Sequence, residues 1–159
     1  MAASVYIETT IPSAHKTTRQ DPHSVARRED THRWWQRQRQ HYDCFTSQEV
    51  LDELSTGDFA GASEALDLIS DMPLLEITED VRAISEVYVR EKLMPGPAGR
   101  GDSLHMALAS YHEVDFLLTW NIRHFANPNK HQHLVVVNRR LALLTPDVVT
   151  PEVLWLQDT

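Results

Sequence analysis

Four short stretches of this chain each set an acid or an amide where an apolar run ends or a helix begins. They are VYIETTIPS (residues 5–13), FTSQEVLDEL (45–54), GDSLHMALAS (101–110) and FLLTWNIRHFAN (116–127). Apolar runs of this length read as buried strands, and the segments between them carry helical spacing. Strands alternating with helices imply an α/β fold, here a parallel sheet of about four to five strands covered by helices on both faces. In such sheets ligands bind outside the carboxyl ends of the strands. Glu8 and Asn121 directly follow two of the expected strands, and Glu53 and Asp102 lie on helices that open at the same edge.

Residues 4–7 read as the first strand and residues 43–46 as the second. A long polar helix from about 24 to 40 is expected between them. Ser47 caps a helix that runs to Leu54, and Thr56-Gly57-Asp58 stops it. A helix over 61–71 follows, then a strand over 74–77. Thr78 caps a helix over 79–92. The segment 94–101, with two prolines and three glycines, is a loop, and Asp102 opens a helix through Tyr111. Residues 116–119 read as a strand, 121–125 as a turn or short helix, 134–137 as another strand, and Thr150-Pro151-Glu152 as the start of a terminal helix. With 159 residues the whole chain, 1–159, is expected to form one domain with a real core.

Three carboxylates and an amide at one sheet edge would make an all-oxygen site for a hard divalent cation, Mg2+ or Mn2+. Such a site suits phosphodiester hydrolysis, with one metal or with two about 3.5–4 Å apart. Each residue also has a plainer reading. Asp102 could be only a helix cap, Glu8 a strand-end charge and Asn121 a turn residue. Glu49 and Glu53 lie one helical turn apart, so one is expected to enter the site and the other to face solvent. His105, three residues after Asp102, is expected to pack on its helix, with support of the site as the alternative. His131 and His133 lack a partner set at zinc spacing and read as surface residues. Cys44 is the only cysteine and falls in a buried strand, which argues against both a disulfide and a nucleophile. No phosphate-cradling or dinucleotide glycine motif occurs.

The net charge of −8 argues against broad, nonspecific nucleic-acid binding, but its distribution is uneven. Between Lys16 and Arg39 seven basic residues face three acids. This arm could meet a polyanion or simply be a solvated helix face. Trp34 and Trp35 could stack on bases, although packing of the long helix also accounts for them. No stretch approaches the roughly 18 apolar residues of a membrane helix, and the start of the chain lacks the basic and apolar regions of a secretory signal. A reducing cytoplasm is the expected location.

Taken together, VYIETTIPS, SQEVLDEL, GDSLHMALA and LLTWNIRHFAN resemble the PIN-domain family, in its VapC-like branch of toxin ribonucleases. The resemblance covers essentially the whole chain in order and spacing. It implies that Glu8 stands for the first-strand aspartate, Glu53 for the helix glutamate with Glu49 as fallback, and Asp102 for the central aspartate. Asn121 stands where many members carry a fourth acid. Glu8 is one methylene longer than the usual aspartate, and Asn121 removes a charge. The family implies an RNA substrate, Mg2+ or Mn2+ as cofactor, a cognate antitoxin that covers the site and, often, a homodimer. The two departures leave room for an alternative, a catalytically weakened PIN fold that binds RNA or protein.

Overall fold

The computed structural model describes residues 1–156. Four strands, β1 Ser4–Ile7, β2 Asp43–Phe45, β3 Phe116–Leu118 and β4 Asp147–Val149, form one sheet in the order β2-β1-β3-β4. Every adjacent pair is parallel, with Tyr6 opposite both Phe45 and Leu117. Strands this short hold because they are the core: Val5, Tyr6, Ile7, Leu117 and Leu118 are fully buried. Among the described residues eight α-helices surround the sheet: α1 Thr10–Lys16, α2 Pro22–Arg37, α3 Gln48–Thr56, α4 Ala62–Leu68, α5 Glu79–Arg90, α6 Gly101–Tyr111, α7 Ile122–Phe125 and α8 Pro128–Arg140.

The strand order fixes where a ligand can go. From β1 the chain crosses to β2 on one side, and from β3 it crosses to β4 on the other. The right-handed crossover rule then places the first connection on one face and the later ones on the opposite face. The connections therefore diverge between β1 and β3, and a crevice opens there at the carboxyl ends. Glu8 leaves β1 and Thr119 leaves β3 at this point, joined by a bond from the Glu8 amide to the Leu118 carbonyl at 3.2 Å.

Side-chain caps set four of the eight helix starts. Ser47 accepts from the Val50 amide and Thr78 from the Val81 amide, each satisfying an end donor that has no intrahelical partner. Asp21 does the same for α2, which begins at Pro22 and ends at Arg37, earlier at both ends than its composition implies. Gly61 precedes α4 at φ +103°, and a Cβ there would sit 2.3 Å from the Lys16 carbonyl oxygen. Only glycine lets α4 approach the end of α1 so closely.

Three expectations are corrected. Residues 134–137 are helical, within α8, because Asn127 caps the helix and Pro128 starts it. Leu134, Val137 and Asn138 face inward at helical spacing while Val136 is exposed. The valine run mimics a strand, but the caps decide. Residues 74–77 contribute only a single parallel bridge from Leu74 to Thr46, and Leu74 remains half exposed. The last strand is instead β4, and Thr150-Pro151-Glu152 forms a turn rather than a helix. Residues 157–159 of the expected 1–159 domain lie outside the described residues.

Candidate functional site

Glu8 is buried, with 3% of its surface exposed. Its Oε1 accepts three hydrogen bonds, from Thr10 Oγ1 at 2.5 Å, Thr119 Oγ1 at 2.6 Å and the Thr10 amide at 3.1 Å. Among the described residues no hydrogen bond reaches Oε2. Burial pushes the carboxyl pKa up, opposed by nearby His105 and by the threonine hydrogen bonds. A nearly buried carboxylate held by one oxygen, with the other unclaimed, is poised for a cation.

Glu53 comes from α3. Its Oε1 accepts from Thr9 Oγ1 at 2.6 Å and from His105 Nε2 at 2.5 Å. Glu49, one turn earlier, is also buried, and its Oε2 accepts the Gly101 amide at 2.7 Å. Neither glutamate is turned idle to solvent, which corrects the expected division between them. Glu53 supports the site directly, and Glu49 ties α3 to the start of α6.

His105 is fully buried at the centre of this arrangement. Glu53 can only accept, so Nε2 carries a proton. Nδ1 lies 2.6 Å from Tyr6 Oη, which lies 2.7 Å from Ser47 Oγ. Burial alone would lower the His105 pKa, but the hydrogen bond to Glu53 and the charges of Glu8, Glu53 and Asp102 outweigh it and raise the pKa. For Glu53 burial pushes upward, and the His105 bond and charge, the Thr9 bond and Arg100 bring the net result below the usual carboxylate range. Both partners thus favour the ion-paired form. His105 is far more than a packing residue.

Asp102 lies at the second position of α6. The helix is preceded by Arg100, with no side-chain cap, so Asp102 is not the cap its position implies. Its Oδ2 lies 2.5 Å from His124 Nδ1, and the Asn121 amide group lies 3.0 Å from the same nitrogen. With Nδ1–H donating to Asp102, the amide fits with its oxygen turned toward the ring. The preceding loop is anchored as well. Ser85 Oγ accepts the Gly99 amide at 2.7 Å, and Ser103 Oγ donates toward the Pro97 and Arg100 carbonyls.

Glu8, Glu53, Asp102 and Asn121 therefore share one sheet edge but divide into two groups. Glu8 and Glu53 form an inner group around His105. Asp102 and Asn121 form an outer group around His124. Among the described residues no three Asp, Glu, His or Cys side chains lie close enough to hold one ion together. The donor chemistry still fits magnesium, which is commonly held by one or two carboxylates and keeps several waters. Among the described residues Glu8, Glu53 and Asp102 each present one oxygen free of protein hydrogen bonds.

The basic arm is largely committed within the fold. Arg27 lies over the Trp120 ring at 5.3 Å and Arg39 over Trp35 at 4.9 Å. Arg28 donates to the Thr17 carbonyl, and Arg19 and Arg33 pair with Asp21 and Asp30. Trp34 is fully buried and Trp35 packs beside it, so neither is displayed for stacking. His131 and His133 are exposed, as expected. Burial pushes the Cys44 thiol up to about 11, leaving it protonated and unreactive at neutral pH.

Sequence reasoning missed His124 and the hydroxyls of Thr9, Thr10 and Thr119. The threonines had a signal, since three hydroxyls beside two strand ends are natural partners for a buried carboxylate. His124 stands three residues after Asn121, within reach across a short helical turn. Among the described residues no helix is long and apolar enough to cross a membrane. No protein-family model matches the chain, and no curated protein matches it.

Proposed function

We propose that this chain is a metal-dependent endoribonuclease of the PIN type, acting as the toxin of a type II toxin–antitoxin pair. The observation that carries the reading is the set of three carboxylates at the divergence between β1 and β3. Each has one oxygen fixed by the protein and, among the described residues, one without a hydrogen bond. Mg2+ or Mn2+, when bound, would supply a Lewis acid and a more acidic water at neutral pH. The chain's own residues do the positioning. Thr10 and Thr119 fix the rotation of the Glu8 carboxylate, Thr9 and His105 fix Glu53, and His124 fixes Asp102. The side-chain oxygen of Asn121 supports the outer group without adding charge.

The test is cleavage of a mixed RNA pool with magnesium, manganese or chelator, by the wild type and by Asp102→Asn. Metal-dependent cleavage that drops at least about a hundredfold in the variant is expected, a loss of roughly 2.7 kcal/mol of transition-state stabilisation. Undiminished cleavage by a folded Asp102→Asn protein would remove Asp102 from the site. A second reading, a weakened PIN fold that binds RNA or protein, is favoured by the two-group division and by Asn121 in place of an acid. Folded protein that cleaves with neither metal would establish it over the first. The toxin reading further implies a cognate antitoxin covering this edge, and a homodimer.

A further inference from the structure

Beside the outer group lies a second cleft, of about 440 Å3, between the end of α5 and the start of α8. Lys92, Arg123, His124 and Lys130 line it, and among the described residues no acid does. All four are exposed, and among the described residues Lys92, Arg123 and Lys130 form no salt bridge. Glu91, the acid next to Lys92, is turned away toward His133 at 3.7 Å. In a chain of net charge −8, three unpaired cations around one concavity are a departure that calls for an anion. Lys130 also sits in the first turn of α8, where the helix dipole disfavours a cation and no acid offsets it. This arrangement costs stability unless something negative occupies the cleft.

Position identifies the anion. His124 lines the cleft and holds Asp102, and Arg123 lines both this cleft and the larger one of about 800 Å3 beside Asn121. An anion here is continuous with whatever reaches the carboxylates. Resting on the ribonuclease reading, we infer that Lys92, Arg123 and Lys130 bind the phosphodiester backbone of single-stranded RNA to one side of the bond that is cut. Among the described residues no Phe, Tyr or Trp lines the cleft, so it offers backbone charge contacts rather than an extended stacking surface, and this contact is largely indifferent to sequence.

The test measures binding apart from cleavage. Fluorescence anisotropy of a short labelled single-stranded RNA is recorded over a salt series without metal, using Asp102→Asn as the parent. The variants are Lys92→Gly with Lys130→Gln, and Arg123→Gln alone. Lys92 sits at φ +59° just past the end of α5, a position glycine takes without strain, so its replacement keeps the fold. Thermal melts confirm folding of each variant. The double variant is expected to bind about tenfold more weakly at low salt. Its dependence of log affinity on log salt should flatten by roughly 0.7 for each phosphate that the protein no longer neutralises.

Unchanged affinity and slope in the folded variants, with RNA cleavage intact in the wild type, would overturn the inference and leave the nuclease reading standing. Weakened binding in the variants, with no cleavage by the wild type, would remove the nuclease and the cut bond with it, while sustaining the RNA backbone contact at these three cations. A parent that does not bind RNA, or that binds polyglutamate instead, would overturn it outright.

Discussion

The two histidine–carboxylate pairs have the same separation, 2.5 Å, but one imidazole ring is buried and the other exposed. His105–Glu53 is built on a ring with no exposed surface, linked through Tyr6 to Ser47 in the core. In His124–Asp102 the histidine side chain is 52% exposed, and its neighbours are the open clefts. Equal geometry does not mean equal energy. Losing the buried His105 ring leaves a cavity and a Tyr6 hydroxyl without this partner, whereas losing the exposed His124 ring lets solvent take its place. The inner group therefore belongs to the fold as much as to the chemistry, and the outer group is free to serve the ligand.

His105→Ala is the most severe way to break this contrast. It should cost about 2–5 kcal/mol in chemical denaturation, since it opens a cavity at a fully buried ring and leaves the buried Tyr6 hydroxyl without this partner. A loss below about 1 kcal/mol would mean that burial does not separate the two pairs. Asp102→Asn tests the other side: cleavage falls about a hundredfold while Tm moves by less than about 2 °C. Glu8→Gln should stabilise the metal-free protein, seen as a higher melting temperature in chelator. Glutamine keeps an acceptor for Thr10 and Thr119 and removes a charge that burial disfavours. His124→Ala should change stability by less than about 0.5 kcal/mol, a value typical of exposed pairs.

A histidine outside both groups gives the contrast a pH scale. His15 packs against His32 at 4.2 Å, and its Nδ1 is buried without a partner. Burial, then the charges of His32 and Lys16, hold its pKa down to about 4, against the usual 6.5. The unfolded chain thus takes up a proton that the folded chain refuses between those values. Stability is full above about 6.5 and is lost as pH falls toward 4. His15→Phe should flatten that limb in a pH series of thermal melts. The inner pair should outlast this window, because Glu53 is held below the ordinary carboxylate range and its contribution is lost only at lower pH. On the alkaline side, the contribution of His105 is lost as pH rises through its elevated pKa.

What could be read from sequence followed the range of the interaction. Ser47 and Thr78 announce their helices because a cap acts within three residues. The shared edge of Glu8, Glu53, Asp102 and Asn121 could be read because strand ends in a parallel sheet must lie together. The partners of those residues could not, since Glu49 meets Gly101 across 52 positions and His124 meets Asp102 across 22. The valines of α8 misled for a related reason. Their β preference is weak beside a proline start, a capping asparagine and an inward face at helical spacing.

The loop at residues 94–101 bears on how the protein can be engineered. By composition it looks like the natural place to splice in an epitope tag or a second domain, because exposed glycine and proline turns usually tolerate insertion. Here Gly99 is gripped by Ser85, and Gly101 by Glu49, from two different helices. A graft between Pro97 and Gly101 would unseat the start of α6 and swing Asp102 out of line. The segment with the composition of a tether works as a clasp, and cargo belongs elsewhere on the surface.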